Sequence, residues 1–192
     1  DKAGDTASKI KKGLYCTVQG KMVYDTFAKE MVLEPTGIVK AKKPERKDTY
    51  DGMKRVELHL HTNMSAMDGM SSTASLLCRA AKWGHRAMAI TDHGYMGGVE
   101  EFHQVLSGAG INPIVGVEAY VAPGDRRDFD SNKPFNRGGF HLVLLSENEQ
   151  GYRNLCKMMS AANKDGFHYK PRIDKELLRQ YHEGLICSSA CI

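Results

Sequence analysis

A chain of 192 residues, 41% hydrophobic and 26% charged, is long enough for one full core plus a small appendage, and its composition is that of an ordinary soluble globular protein. No run of eighteen apolar residues is present to span a membrane, and the polar start at residues 1–12 has no signal-peptide stretch, so the expected location is the cytoplasm. The net charge of +4 permits contact with phosphates without requiring it, and five cysteines at 16, 78, 156, 187 and 191, an odd count in no framework spacing, read as reduced thiols.

In chain order, residues 14–18 and 22–24 look like strands with Gly20 as a turn, and 27–33 like a further strand. Residues 40–53 (KAKKPERKDTYDGM) are charged, contain Pro44 and lack periodicity, which marks a linker region. The expected organisation is therefore a β segment over 1–45, a linker over 46–55 and an α/β domain over 56–192. Lys40, Lys42, Lys43, Arg46 and Lys47 are candidate DNA-phosphate contacts, with Tyr15, Tyr24 and Phe27 as possible stacking surfaces. A solvated linker beside a small core is the plainer reading of the same residues.

Past the linker the texture alternates. Residues 56–61 read as a strand, and 71–83 as a helix opened by serines and stopped by Gly84. A short strand follows at 87–91. Val99, Phe102, Leu106 and Ala109 then fall at helical spacing and end at Gly110. Strands are expected at 114–121, 140–145 and 185–188, with helices around Tyr152–Met159 and over 174–181. Residues 123–139 read as a polar loop. Such alternation argues for a parallel sheet or a β/α barrel, in which chemistry collects at the C-terminal strand ends.

That rule gathers the polar residues into one pattern. His59 and His61, two apart on a strand, share a face. Asp68 follows in the next loop, Asp92 and His93 follow the second strand, Glu118 sits late in the third, and Cys191 follows the last. His141 begins its strand, an awkward placement for this rule. Singly, each has an ordinary reading: His-x-His pairs are common, Asp92 could cap a helix, and Cys191 could fill a core. Jointly, imidazoles, carboxylates and a thiolate at strand ends suit a multinuclear metal site. Asp68 and Asp92 are the candidates for assisting proton transfer, and Asp92 could instead orient a neighbouring ligand. His85, His103, His168 and His182 read as surface or capping residues, and Gly69 and Gly94 as positions of tight backbone.

Val56-Glu57-Leu58-His59-Leu60-His61-Thr62, continuing through Ser65, Asp68 and Gly69, resembles the first motif of the PHP (polymerase and histidinol phosphatase) family. Thr91-Asp92-His93-Gly94 resembles its second motif, and Gly116-Val117-Glu118-Ala119-Tyr120 its next strand; the likeness extends over residues 54–192. It implies a distorted β/α barrel of seven strands binding up to three divalent metals, zinc, manganese or iron. The matching positions are His59, His61, Asp68, His93, Glu118, His141 and Cys191. The family's late Asp-x-His pair has no counterpart after His141, and five strands are legible, so an incomplete barrel is expected.

Within the family, His141-Leu142-Val143-Leu144-Leu145, Gly151-Tyr152-Arg153-Asn154-Leu155, Lys170-Pro171-Arg172 and Glu183-Gly184-Leu185-Ile186 resemble the version found in bacterial DNA polymerase III alpha subunits. Residues 20–27 and 54–59 are similar to the PolC type, where the end of an OB-fold domain precedes this one, although the exonuclease insert of that type is missing from residues 123–139, a DnaE-like feature. The resemblance implies a DNA replication enzyme whose partners are DNA, the rest of the polymerase chain and the replisome. It implies metal-dependent phosphoester chemistry on a mismatched 3′ end or on pyrophosphate. The alternatives are an inactive, metal-stabilised structural module and a small-molecule phosphatase of the histidinol phosphatase kind.

Overall fold

A computed structural model describes residues 10–66 and 68–190. The chain divides into two units, residues 1–49 and 50–192.

The first unit is a hairpin of β1 (Cys16–Asp25) and β2 (Glu30–Lys40), paired antiparallel from Cys16 opposite Lys40 to Asp25 opposite Glu30. The turn expected at Gly20 is not there. The strand runs through with a bulge between Gln19 and Gly20, where a Cβ would lie 2.2 Å from the Glu34 carbonyl oxygen. The chain reverses instead at residues 26–29, inside the expected strand 27–33. Asp25 Oδ1 accepts from the amides of Phe27 and Ala28 at 2.8 and 3.0 Å, and Lys29 takes φ 56°. An aspartate that caps its own turn outweighs the glycine as a turn signal. Residues 41–50 have no regular structure.

The second unit holds six strands: β3 (Ala87–Ile90), β4 (Asn112–Val121), β5 (Phe140–Ser146), β6 (Phe167–His168), β7 (Lys170–Ile173) and β8 (Leu185–Ser189). Its helices are α1 (Thr73–Lys82), α2 (Val99–Gly108), α3 (Glu149–Asp165) and α4 (Lys175–Tyr181). The sheet runs β6-β7-β4-β5-β8, with β3 also on β4. β4 pairs parallel with β3 and β7 and antiparallel with β5, and β8 is antiparallel to β5. The sheet is therefore mixed rather than all-parallel. It is an arc of a distorted α/β barrel that does not close.

Three of the described helices start where a side chain caps them, while α2 starts at Gly98 without one. Ser72 Oγ accepts from Ser75 N, Asn148 from Gly151 N and Asp174 from Leu177 N. Their apolar faces bury in two clusters. Leu155, Met158 and Ala162 of α3 pack with Leu177 of α4 on Val117, Leu144 and Ile173. Leu77 of α1 and Phe102 and Leu106 of α2 pack on Met88 and Ile90. Each large side chain fully buried here contributes about 1.5–3 kcal/mol.

Residues 56–61 lie beside β3 but form only one bridge, Glu57 to Met88. Side chains take the amides a ladder would use. Leu60 N donates to Thr91 Oγ1 at 2.8 Å and His59 N to Glu57 Oε1 at 3.3 Å. The expected first strand is thus an extended segment without a continuous ladder. The short β6 and β7, joined by Tyr169 at φ 61°, had no periodicity to announce them.

Residues 123–139 are a loop tied down by a buried arginine. The Arg172 guanidinium, fully buried, donates to the carbonyls of Gly166, Asn136, Arg126 and Asp128 and to Asn136 Oδ1. Arg126 Nη1 in turn meets Asp174 Oδ2 at 2.9 Å. No helix among the described residues is long and apolar enough to cross a membrane.

Candidate metal centre

His59 and His61 enter the site from the extended segment, their amide neighbours fixed by Thr91 and Glu57. His93 follows β3, and its bridge to Glu118 is an isolated step in the β3–β4 register, three residues beyond the Ile90–Val115 pair. Gly94 N donates to the Glu118 carbonyl at 2.8 Å and Glu118 N to the Asp92 carbonyl at 3.1 Å, which locks that step. The awkward position of His141 is resolved by strand direction. Because β5 runs antiparallel to β4, its beginning lies beside the end of β4, with His141 opposite Tyr120.

Glu118 is fully buried at the centre of this cluster. Its Oε2 lies 2.6 Å from His59 Nε2, 2.8 Å from His61 Nε2 and 3.7 Å from His93 Nδ1, and its Oε1 lies 2.6 Å from His141 Nδ1. The two Nε2 atoms of His59 and His61 are 3.0 Å apart. Asp68 Oδ2 sits 3.4 Å from His61 Nδ1 and 3.3 Å from His93 Nε2. Burial alone would raise the Glu118 carboxyl, but hydrogen bonds from His59 and His141 outweigh it and hold the group below its ordinary value. For His93, burial pushes the imidazole down, against the pull of Glu118. The neutral ring, the form a metal accepts, is thereby favoured.

The residues fit a divalent metal. Three groups of ligand atoms converge, His59–His61–Glu118, His61–Asp68–His93 and His93–Glu118–His141, each with its atoms within 4.8 Å of one another. His93 Nδ1 is buried without a hydrogen-bond partner, since its 3.7 Å approach to Glu118 is too long for one. A buried imidazole nitrogen without a hydrogen bond, aimed at a carboxylate already shared by three histidines, is the arrangement a cation would satisfy.

Asp92 does other work. It is buried, and its carboxylate accepts from Thr62 N, Thr62 Oγ1 and Ser65 Oγ at 2.6, 2.8 and 2.7 Å. Ser65 Oγ, having given its proton to Asp92, accepts from His93 N at 3.1 Å and lies 3.0 Å from His61 Nδ1. The serine proton is spent, so His61 Nδ1 donates to Ser65, and the lone pair of its Nε2 faces His59 and Glu118. Asp92 therefore sets the tautomer of His61 through Ser65. Sequence reasoning passed over Thr62 and Ser65 as partners, although both stand in the quoted motif. Gly69 allows the same loop to close, since a Cβ there would fall 1.8 Å from the Thr62 carbonyl oxygen.

The site opens into a cavity of about 610 Å³ lined by Asp68, His93, Tyr120, His141, Tyr95, Phe167 and Lys170 among others. Cys191 lies outside the described residues. Lys40, Lys42, Lys43, Arg46 and Lys47 are exposed, in β2's last position and the irregular stretch after it, and Lys43 Nζ stands 5.6 Å from the Tyr15 ring centroid. They belong to the first unit and supply none of the converging atoms. His85, His168 and His182 each contact a nearby carbonyl or hydroxyl group outside the cluster.

An α/β arc that gathers histidines and carboxylates at one sheet end has the donor set of a candidate metal-site domain. The chain belongs to the PHP domain family, which matches residues 57–192. It is 48% identical over 137 residues to the DNA polymerase III subunit alpha of Chlamydia pneumoniae, covering 71% of this chain and 11% of that protein. It is also 48% identical over 140 residues to the subunit of the same name from Treponema pallidum, covering 73% and 12%. The chain thus spans little more than a tenth of the length of these relatives. Among solved structures it shares 26% identity and a TM-score of 0.42 with an amidohydrolase from Chromobacterium violaceum, over 57% of this chain and 33% of that one.

Proposed function

We propose that this chain is the PHP part of a bacterial replicative DNA polymerase alpha subunit and that its cluster is a metal-dependent phosphoesterase site. The observation that carries the reading is the convergence of four histidines on buried Glu118, with Asp68 against two of them, His61 and His93. His59, His61, Asp68, His93, Glu118 and His141 hold zinc, manganese or iron, and Cys191 is the remaining candidate ligand. A divalent metal supplies Lewis acidity to a phosphoryl oxygen and acidifies water. The chain's own residues do the rest. Glu118 gathers the imidazoles, Asp92 fixes the tautomer of His61 through Ser65, and Asp68, the exposed carboxylate of the cluster, takes or returns a proton at the cavity wall.

The candidate substrates are a DNA 3′ end and pyrophosphate, in a protein whose partners are DNA, the rest of the polymerase and the replisome. In the same reading the β1–β2 hairpin is the end of an OB-like domain, and the basic residues from Lys40 to Lys47 contact DNA phosphates. Elemental analysis of the purified chain beside a His59→Ala/His93→Ala variant is the test. Stoichiometric zinc, manganese or iron, lost in the variant together with phosphodiester hydrolysis, is the expected result. A folded protein without metal overturns the site. Bound metal with no hydrolysis turns the domain into a metal-stabilised structural module, the second reading, which the cross-linking of three elements by Glu118 favours.

A further inference from the structure

A ligand histidine is held in plane when its other ring nitrogen donates a hydrogen bond to a group behind it. His61 has that support from Ser65, through which Asp92 acts. His93 and His141 have none: among the described residues, no hydrogen bond reaches either ring from outside the converging donors. What touches both rings instead is Tyr120. Its ring stacks on His93 with centroids 5.7 Å apart and planes 19° apart, and it meets His141 edge-on at 4.9 Å and 87°. The two imidazoles are themselves 5.3 Å apart at 76°, so the three rings close a triangle. Contacts at these spacings are the range in which aromatic pairs hold a preferred angle.

Strand geometry puts Tyr120 there. It stands two residues after Glu118 on β4, on the same face of the sheet, and directly opposite His141 on β5. Its surroundings keep the ring in place. It is 5% exposed, Gly94 brings bare backbone against its edge, where a Cβ would lie 3.1 Å from Cδ2 and Cε2, and the Lys170 ammonium stands 5.5 Å from its centroid. We propose that Tyr120 is a positioning residue for one part of the metal centre: its ring, rather than its hydroxyl, sets the planes of His93 and His141 so that both present a nitrogen lone pair beside Glu118. The inference rests on the metal reading above and concerns the His93–Glu118–His141 group, one of the three converging sets. Among the described residues the ring contacts of His59 and His61 are with each other and with His93, so the His59–His61–Glu118 group is held without Tyr120.

The purified 192-residue chain, stripped with EDTA, is titrated with cobalt(II), whose visible bands report the geometry of the ligands around it. A His141→Ala variant identifies the equivalent that needs His141, since it loses that one. Tyr120→Leu binds the same equivalent about tenfold or more weakly, the scale on which groups that orient a ligand act, and with a shifted band. The equivalents that survive in His141→Ala are bound by Tyr120→Leu as by the parent. Tyr120→Phe, which keeps the ring and drops the hydroxyl, titrates like the parent in affinity and spectrum. Circular dichroism melts check that each variant is folded, and Tyr120→Met, apolar and long but without a flat face, replaces Tyr120→Leu if that protein does not fold. A Tyr120→Leu protein with parental affinity and bands overturns the inference alone. So does a uniform weakening of every equivalent, the mark of a residue that only packs, or a Tyr120→Phe protein as impaired as Tyr120→Leu. A parent that takes up no cobalt overturns the metal reading itself, and the inference with it.

Discussion

At Gly94 the chain leaves β3 with φ +58°, and a Cβ would come within 2.8 Å of Pro171 Cγ and 3.1 Å of two Tyr120 ring carbons. Backbone conformation and space both exclude a side chain one residue from His93. Gly94→Ala is expected to cost about 2–4 kcal/mol, from a left-handed alanine at about 1–2 and overpacking at about 1–3. Gly124→Ala, with nothing within 4 Å of the added carbon, stays within about 0.5 kcal/mol of the parent. Urea midpoints measure both. A Gly94→Ala protein as stable as the parent would mean that Pro171 and Tyr120 yield freely. His59, His61 and His93 around Glu118 were legible in the sequence because strand-end placement and a family motif both point at them, whereas His141, at the start of its strand, was pointed at by the resemblance alone. That Asp92 could orient a ligand was legible from its place beside His93, but that it reaches His61 was not, because its partners Thr62 and Ser65 lie 30 and 27 residues away and meet it only in the fold.

Among the elements, α1, α2, α3 and α4 and strands β3, β4, β5 and β8 stood near their expected positions, since apolar spacing and caps are local signals. Pairing direction is not local. The antiparallel course of β5, which delivers His141 to the site, depends on a loop whose course is set by Arg172 and Asp174 from far along the chain. Asp174 joins the two roles by capping α4 at Leu177 N and holding Arg126. Burial pulls its carboxyl up, yet the amides of Leu177 and Arg126 and the Arg126 guanidinium hold it below the usual carboxylate value. A group depressed in the folded state stabilises above its unfolded pKa, near 3.9, and that stability is lost as pH falls through the folded value. Asp174→Asn is therefore expected to be about 2 kcal/mol less stable than the parent near pH 7, the scale of hydrogen bonds to a charged group. The gap should shrink as pH is lowered through 4. Thermal melts of both proteins across that range decide it, and a gap independent of pH would place the effect in packing rather than charge.

For the whole molecule the consequential feature is how the chain divides. Every described atom that converges on the metal cluster comes from residues 59–141, inside the second unit. The first unit offers a hairpin that leaves Met22, Tyr24, Phe27 and Val39 exposed, and a lone two-stranded hairpin is marginally stable in water. Past the hairpin, still within the first unit, Lys42, Lys43, Arg46 and Lys47 are exposed on backbone with no regular structure. The loop at 123–139 is as rich in trypsin sites, but Arg172 and Asn136 stitch it to the core through buried hydrogen bonds. Proteolysis follows local opening, which is easiest where few buried contacts must break. Brief trypsin treatment is thus expected to cut first within residues 42–47, leaving a larger fragment that keeps its metal while the hairpin is degraded. Mass spectrometry of the early products with elemental analysis of the fragment reads both. A first cut at Arg127 or Arg137 would show that the arginine stitching does not protect the loop. Metal lost with the hairpin would show that the site needs the first unit, although that unit contributes none of the described ligands.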